Sequence, residues 1–414
     1  SPNNPFFAIS LEEFMSIKPM IRSNICINAH PEGCAKETDH QIDYAKSQKS
    51  KRGIKSVKEG GKGPKFVLVL GCSTGYGLAS RIVSAFEYGA DTMGVSFEKE
   101  GTETKCGTPG FYNNKEFDKT ATEAGLYSKT FNADAFSHET RAMIIDEIKK
   151  TGKKIDLLVY SLASPVRKDP DSETVWKSVI KPIGQSYSGN ALNILQECLM
   201  EGKAEPATEQ EIEDTVKVMG GADWKLWINA LLEAGVLDTG CRTVAYSYIG
   251  PVQSHAIYRS GTIGMAKKDL EATARDLSKQ LKTAIGGDAW VSVNKGLVTR
   301  SSAVIPVISL YLSVLFKIMK DKGIHEGCIE QMDRLFAERL FTGADNAAGN
   351  VPVDSENLIR IDDWEMREDV QSVATEYMAK ICDENLKEYC DLEGYKHDFL
   401  ATNGFDVAGV NYDD

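Results

Sequence analysis

A short apolar run followed by a glycine-rich turn constrains this chain more than any other feature. Residues 66–70 (FVLVL) have the composition of a buried parallel strand, and GCSTGYG follows directly at residues 71–77. Such a strand-to-helix turn lets the backbone approach a pyrophosphate, toward which the N-terminus of the next helix directs partial positive charge. The GxxxGxG spacing differs from the GxGxxG of many dehydrogenases, and any tight turn favours glycine. Its position after an apolar strand favours a nucleotide site.

The rest of the sequence alternates between strand-like and helix-like segments. Strands are predicted at residues 92–97, 126–131, 155–161, 243–249 and 289–293, and helices at residues 79–86, 138–150, 263–281 and 364–381. This alternation predicts an α/β fold, a doubly wound parallel Rossmann-type sheet with helices on both faces.

The predicted elements suggest one large domain over residues 1–414. Polar residues 1–60 are expected to form an N-terminal extension that ends in an exposed connector. Residues 165–240 are too long for one crossover, so we expect an inserted substrate-side lobe there. Residues 300–414 are expected to be mainly helical.

Composition limits the partners of the chain. It has 414 residues, 42% of them hydrophobic, and a formal net charge of -12, a balance typical of a globular protein. The acidic excess disfavours nonspecific binding to nucleic acid or to an anionic membrane. The longest strongly apolar uncharged stretch, residues 301–316, is shorter than the ~20 residues that span a bilayer. We therefore expect neither a nucleic-acid partner nor a membrane span.

The nine cysteines favour reduced thiols, because their number is odd and no pair has CxxC spacing. Cys26, His30 and Cys34 have metal-ligating side chains close together, but a fourth ligand at suitable spacing is missing. We expect no metal, and a cytoplasmic location. The mitochondrial matrix is the alternative, if a transit peptide was removed.

Further candidate cofactor contacts lie at other strand ends, since ligands bind outside the carboxyl ends of parallel strands. Glu98 ends the second strand. A carboxylate there accepts hydrogen bonds from the adenosine ribose and repels a 2′-phosphate, which favours NADH although Lys99 adjoins it. Asp134 is a candidate adenine contact, and Leu162 and Ala163 are candidates for the ribose path. An ordinary strand terminus is the alternative at each position.

A tyrosine and a lysine flank the start of the helix predicted at residues 263–281. Lys267 borders the apolar face of that helix, whereas Lys268 points away. Tyr258 precedes Lys267 by nine positions, so the two converge only if Tyr258 lies before the helix, with Gly261 as part of the break. A nearby cation would favour the ionised phenol and strengthen it as an acid. A packed aromatic beside a surface lysine is the alternative.

The chain resembles the trans-2-enoyl-CoA reductases and the related V-type enoyl-acyl carrier protein reductases from Lys18 onward. The matching stretches are GCSTGYGLASR, GVSFEKE, GTPGFYNN, DLLVYSLASPVRKDP, VKVMGGADW, AYSYIGP, IYRSGTIGMAK, VSVNKGLVTRSSAVIP, IHEGCIEQM, RIDDWEM and NGFDVAGVNY. Tyr258 and Lys267 match the Tyr-x8-Lys arrangement of that family, whereas related short-chain dehydrogenases use Tyr-x3-Lys. Residues 191–203 depart from the Thr/Asp-rich, hairpin-like pattern of the family.

The resemblance implies NADH-dependent reduction of the trans-2 double bond of an enoyl thioester, carried on coenzyme A or on acyl carrier protein, by a monomer or a homodimer. It implies that Tyr258 is the catalytic proton donor, that Lys267 acts in catalysis and contacts the cofactor, and that Tyr248 binds substrate. The implied NADH-binding residues are Gly71, Cys72, Ser73, Thr74, Gly75, Tyr76, Phe97, Glu98, Asp134, Ala135, Leu162, Ala163, Lys267, Leu297, Val298 and Thr299.

Two further expectations concern the substrate. Arg167 and Lys168 are candidates for the phosphates of coenzyme A, since a chain of net charge -12 must attract them locally. Residues 303–316 are a candidate wall for the acyl chain. The alternative functions are a carbonyl or sugar-nucleotide oxidoreductase on the same fold, or a regulator that binds NADH without turnover.

Overall fold

The computed structural model describes residues 17–22, 25–300, 306–342 and 351–413. The strands are β1 Ile21–Arg22, β2 Ile25–Cys26, β3 Phe66–Leu70, β4 Asp91–Ser96, β5 Ser128–Asn132, β6 Ile155–Tyr160, β7 Val166–Lys168, β8 Val175–Lys177, β9 Tyr187–Asn193, β10 Cys198–Ala204, β11 Leu237–Ser247, β12 Asp288–Val293 and β13 Ile359–Arg360. The α-helices are α1 Pro31–Arg52, α2 Gly75–Phe86, α3 Pro109–Glu123, α4 His138–Thr151, α5 Glu209–Met219, α6 Ala222–Glu233, α7 Thr262–Ile285, α8 Pro306–Asp321, α9 Cys328–Leu335, α10 Glu368–Lys380, α11 Leu386–Tyr389 and α12 Leu392–Ala401.

Seven of the strands within these ranges form one parallel sheet in the order β13-β12-β11-β6-β3-β4-β5. The central strand β3 pairs with β4 and β6, so that Leu68 lies between Met93 and Leu158. The chain reverses the direction of strand addition between β3 and β6, which makes a cleft at their carboxyl ends. The predicted doubly wound α/β fold is confirmed.

Both faces of this sheet are covered by helices. Val67 and Val69 of β3 point to one face, where they join a cluster that includes side chains of α1, α2, α3 and α9. Leu68 and Leu70 point to the other face and pack with side chains of α4, α6 and α7. Because both faces are buried, the central strands have continuous apolar sequences rather than alternating ones, as the sequence indicated.

A third apolar cluster lies beside the cleft. It combines α8, α10 and α12 with Tyr258, Leu297 and Val298. The antiparallel hairpin of β9 and β10 packs against α8, and a Cβ atom on Gly202 would lie 2.5 Å from Val307. Residues 191–203 thus lie in this hairpin, although they depart from the family pattern. The helix under the hairpin, α8, contains most of the candidate acyl-chain wall. Residues 303–305 of that stretch are outside the described ranges.

The N-terminal extension expected at residues 1–60 contains a helix that the sequence interpretation did not predict. Residues 31–52 form α1, which begins after His30, whose Nδ1 accepts a hydrogen bond from the Gly33 amide, and ends at Gly53 in the left-handed region. The helix packs on α2 and α3 through one narrow face. The segment 165–240 holds two hairpins followed by α5 and α6, and α6 belongs to the helical layer of the sheet. Within the described ranges no helix is long and apolar enough to cross a membrane.

Candidate active site

Two glycines of the turn after β3 lie too close to the protein's own backbone to carry a side chain. Gly71 has φ +81°, and a Cβ atom there would lie 2.2 Å from the Ser161 carbonyl oxygen. A Cβ atom on Gly77 would lie 1.8 Å from the Gly71 carbonyl oxygen. The turn passes directly into α2, and Thr74 before it makes no side-chain cap hydrogen bond. Backbone amides at a helix N-terminus that follows such a tight turn fit the pyrophosphate of a dinucleotide.

Glu98 is fixed beside this turn. Its carboxylate accepts hydrogen bonds from the hydroxyls of Ser73 (2.5 Å) and Thr108. Its backbone is held by Asn132, which accepts from the Glu98 amide at 2.7 Å and donates to its carbonyl oxygen at 2.9 Å. A Cβ atom on Gly110 would lie 2.2 Å from a carboxylate oxygen of Glu98, so the acid packs closely against the start of α3. The remaining lone pairs of the carboxylate can accept hydroxyl donors of a ribose.

The loop after β12 returns to the same turn. The Tyr76 hydroxyl donates to the Lys295 carbonyl oxygen at 2.6 Å, and the side chain of Thr299 lies close to Gly75, whose added Cβ atom would be 3.7 Å away. Leu297 and Val298 are buried against the third cluster. The structure therefore brings residues 297–299 and the glycine turn together.

The other predicted cofactor residues line the same edge of the sheet. Phe97 is 79% exposed, which leaves its ring free to stack on a flat ligand. Asp134 accepts a hydrogen bond from the Phe136 amide at 2.9 Å, and Ala135 is buried. Leu162 is half-buried and Ala163 is exposed. Cys72 is fully buried, so only its backbone can face a ligand.

Tyr258 lies before α7, as the sequence required for it to approach Lys267. The helix begins at Thr262, and the chain from Val252 to Gly261 follows short turns. Tyr258 is 9% exposed, and its hydroxyl makes no hydrogen bond to any part of the chain that the structure describes. Burial raises the pKa of its phenol above the ordinary value of 10.0. A neutral phenol with an uncommitted proton is suited to donate a hydrogen bond to a ligand.

Lys267 and Lys268 differ as the helical wheel predicted. The Lys267 Nζ donates to the Tyr246 carbonyl oxygen at 3.2 Å, whereas Lys268 is exposed. Burial lowers the pKa of Lys267 to about 8, while Glu271 opposes this shift. Burial alone accounts for the raised pKa of Tyr258, and the effect of Lys267 on the phenol stays a prediction.

Tyr248 follows β11 and packs on Tyr258, with ring centroids 5.3 Å apart and an interplanar angle of 73°. Its hydroxyl donates to Glu365 at 2.9 Å. Glu365 was missed in the sequence interpretation, although it lies within the RIDDWEM stretch that resembles the family. The sequence interpretation placed Glu365 inside the helix predicted at residues 364–381, whereas α10 begins at Glu368, so that motif was the only indication of its position.

Arg167 is not available to the phosphates of a carrier, and this expectation was wrong. The side chain is 3% exposed, and its guanidinium lies 5.1 Å from the Trp176 ring centroid and 5.7 Å from that of Phe136. It donates to the Lys217 carbonyl oxygen at 2.8 Å. Lys168 is exposed and forms a 3.1 Å ion pair with Glu173. Arg167 is thus a packing residue under the β7–β8 hairpin.

Three sequence profiles match consecutive parts of this chain. Residues 16–103 match the NAD(P)H binding domain of trans-2-enoyl-CoA reductase, and residues 105–341 match the trans-2-enoyl-CoA reductase catalytic region. Residues 353–414 match a profile described as the enoyl reductase FAD binding domain.

The residues of this last stretch do not fit a flavin. Its helices direct Val370, Ala374, Tyr395 and Phe399 into the third apolar cluster. Gly404 is packed rather than open, because an added Cβ atom would lie 2.5 Å from the Cys34 amide nitrogen. The glycine turn that fits a dinucleotide pyrophosphate lies instead at residues 71–77, within the NAD(P)H-binding match.

Relatives of known activity match over nearly the full length. The trans-2-enoyl-CoA reductase [NADH] of Treponema denticola is 58% identical over 96% of this chain and 98% of its own length. An enoyl-[acyl-carrier-protein] reductase [NADH] of Coxiella burnetii is 50% identical over 96% of this chain and 95% of its own length. The crystal structure of the Treponema denticola trans-2-enoyl-CoA reductase in complex with NAD superposes with a TM-score of 0.91, covering 97% of this chain and 98% of that one. The chain belongs to the trans-2-enoyl-CoA reductase family.

Proposed function

We propose that this protein reduces the trans-2 double bond of an enoyl thioester with NADH and releases the saturated acyl thioester. The observation that carries the proposal is the nearly buried Tyr258 hydroxyl, which makes no hydrogen bond to the part of the chain that the structure describes. Membership of the family supports the same activity, since relatives at 50% identity and above are named for this reaction with NADH.

Tyr258 is the proposed hydrogen-bond donor to the thioester oxygen. When NADH is bound, it supplies a hydride to the β-carbon of the substrate. Negative charge then develops on the thioester oxygen, where a neutral phenol stabilises it more in the transition state than in the ground state. The α-carbon takes up a proton, which completes the saturated product. A phenol whose pKa is raised by burial keeps its proton at neutral pH and so remains a donor.

The cofactor residues have proposed roles that follow from their positions. The glycine turn and the N-terminus of α2 would hold the pyrophosphate, and Glu98 would accept the hydroxyls of the adenosine ribose. Phe97 and Asp134 would flank the adenine. Lys267 has donors beyond its bond to the Tyr246 carbonyl, and these would bind the other ribose.

Helix α8 is the proposed wall of the acyl pocket. A Cβ atom on Gly296 would lie 2.9 Å from both Leu312 Cδ2 and the Tyr248 hydroxyl oxygen, so these groups are close neighbours. The apolar side of α8 therefore borders the tyrosine pair. An acyl chain extended along this helix would place its thioester end beside Tyr258.

Coenzyme A is the proposed carrier, since a relative at 58% identity is named as a trans-2-enoyl-CoA reductase. Acyl carrier protein is the second candidate, because relatives at 50% identity are named for it. A cytoplasmic location is proposed as well, and the nine unpaired cysteines support a reducing compartment. Whether the enzyme acts as a monomer or a homodimer stays a prediction.

The purified protein with NADH and crotonyl-CoA tests this function. We expect one NADH to be oxidised for each butyryl-CoA formed, measured by NADH absorbance and by chromatography of the thioesters. Consumption with acetoacetyl-CoA or ketones instead of crotonyl-CoA would indicate a carbonyl reductase. NADH binding without consumption would indicate a regulator. Crotonyl thioesters of coenzyme A and of acyl carrier protein, compared by kcat/KM, decide the carrier.

A further inference from the structure

Glu365 is a buried carboxyl group in the active-site wall with no role in the chemistry described above. It lies between β13 and α10, and it is 0% exposed. A carboxylate in such a place is costly unless several donors bind it. Its hydrogen-bond partners therefore indicate what it does.

Three donors from separate parts of the fold converge on this carboxyl group. The Tyr248 hydroxyl after β11 donates at 2.9 Å, and the Tyr311 hydroxyl in α8 donates at 2.8 Å, both to Oε2. The Gly296 amide after β12 donates to Oε1 at 2.7 Å. Glu365 thus joins the proposed substrate tyrosine, the proposed acyl wall and the start of the loop that carries residues 297–299.

The bond to Glu365 determines what Tyr248 can offer a substrate. A phenol has one proton, and Tyr248 directs it to the carboxylate. Its oxygen cannot then donate to a thioester. The ring of Tyr248 still packs edge to face on Tyr258. The Tyr258 hydroxyl, by contrast, makes no hydrogen bond to the described residues.

We propose that Glu365 is a positioning residue for thioester reduction. Glu365 anchors the Tyr248 ring, and this ring in turn holds Tyr258 in place. The same hydrogen bond keeps the Tyr248 proton away from the substrate. This inference rests on the proposed function. Gln371 supports the anchor from the outside, since its amide donates to the Glu365 carbonyl oxygen at 2.8 Å and to the Tyr311 hydroxyl at 3.0 Å. A purely structural carboxylate would stabilise the fold without affecting catalysis through Tyr248.

Glu365→Gln, Tyr248→Phe and the double variant form a cycle that separates these possibilities. Glu365→Gln keeps the size of the side chain but cannot accept from all three donors, and Tyr248→Phe removes the anchored hydroxyl. We expect each single variant to lower kcat for crotonyl-CoA about tenfold, and the double variant to lower it about tenfold as well, with the KM for NADH within about threefold of the parent. Glu368→Gln, at an exposed glutamate in the first turn of α10, is the matched control, and its kcat should stay within about threefold of the parent.

A loss of about a hundredfold in the double variant would mean independent effects and would overturn the proposal. If Glu365→Gln does not fold, Tyr248→Phe and Glu368→Gln decide, because the proposal requires the larger kcat loss in Tyr248→Phe and equal losses contradict it. Failure of the proposed function is distinguishable, since the parent protein itself would then leave crotonyl-CoA unreduced.

Discussion

The rings of Tyr248 and Tyr258 meet edge to face with centroids 5.3 Å apart, yet their hydroxyls have different surroundings. The Tyr248 hydroxyl donates to Glu365, whereas that of Tyr258 makes no bond to the described residues. Two adjacent tyrosines thus have different chemistry, because only one has a proton to give to a ligand. This difference leads to unequal effects when each hydroxyl is removed.

Tyr258→Phe should lower turnover of crotonyl-CoA by roughly a hundredfold or more, the usual scale for a lost acid catalyst. The phenyl ring keeps its packing, so the dissociation constant for NADH, measured by fluorescence titration, should be unchanged within about threefold. Tyr248→Phe serves as the comparison, and its smaller loss is expected because its proton is already committed. Near-normal turnover in Tyr258→Phe would refute the donor assignment.

Lys267→Met should weaken NADH binding and turnover together, whereas Lys268→Met should change neither by more than about threefold. The reason is position: Lys267 is half-buried and donates to the Tyr246 carbonyl oxygen, while Lys268 is exposed to solvent. Steady-state kinetics with varied NADH measures the difference. Similar losses in the two variants would show that this face of α7 does not contact the cofactor.

The affinity for NADH should fall as the pH rises through about 8. Burial lowers the pKa of Lys267 to about 8 from an ordinary value of 10.5, so the ammonium is present below pH 8 and is lost above it. Lys267→Arg should move this loss to higher pH, since a guanidinium stays charged. The measurement is the KM for NADH across the alkaline range. A pH profile that is the same in the parent and in Lys267→Arg would assign the change to another group.

The sheet and its cofactor edge could be predicted because apolar runs define the strands of a parallel sheet and their carboxyl ends must share one edge. Glu98, Asp134 and Leu162 follow three different strands, and the structure places all of them at that edge. Helix α1 was missed although Cys34, Thr38, Ile42 and Ala45 recur at helical spacing. Only this narrow face is buried, and the surrounding residues are polar enough to resemble a connector.

Contacts between distant segments could not be predicted. Arg167 follows a strand end, but its burial depends on Trp176 of the β7–β8 hairpin covering it. Glu365 meets donors that lie 117, 69 and 54 positions away in the chain. No local pattern of residue types encodes such a convergence, which depends on how the C-terminal helices pack beside the sheet.

Glu98 should determine the choice between NADH and NADPH. Its carboxylate, held by Ser73 and Thr108, would accept ribose hydroxyls and repel a 2′-phosphate. A hydrogen bond to a charged group contributes about 1.5–3 kcal/mol, so we expect a preference for NADH of at least tenfold. Glu98→Gln should reduce the ratio of kcat/KM values, and Lys99→Ala is the control, since that side chain is exposed. An unchanged preference in Glu98→Gln would remove this role from the residue.

Glu87 should make the protein less stable as the pH rises from about 4.5 to about 9. The carboxyl group of Glu87 is buried next to that of Asp333, which is held ionised by two hydrogen bonds from Arg52. Burial, together with Asp333, raises the pKa of Glu87 to about 9, so the folded protein keeps a proton that the unfolded chain loses above about 4.5. Folding therefore takes up a proton in this window, and the free energy of unfolding decreases with rising pH.

Glu87→Gln keeps the shape of the side chain and needs no proton, so its melting temperature should exceed that of the parent by a few degrees near about pH 8 and match it near about pH 5. Glu59→Gln, at an exposed glutamate, should show no such pH-dependent difference from the parent. The same difference in melting temperature between the parent and Glu87→Gln at every pH would rule out a proton held by Glu87.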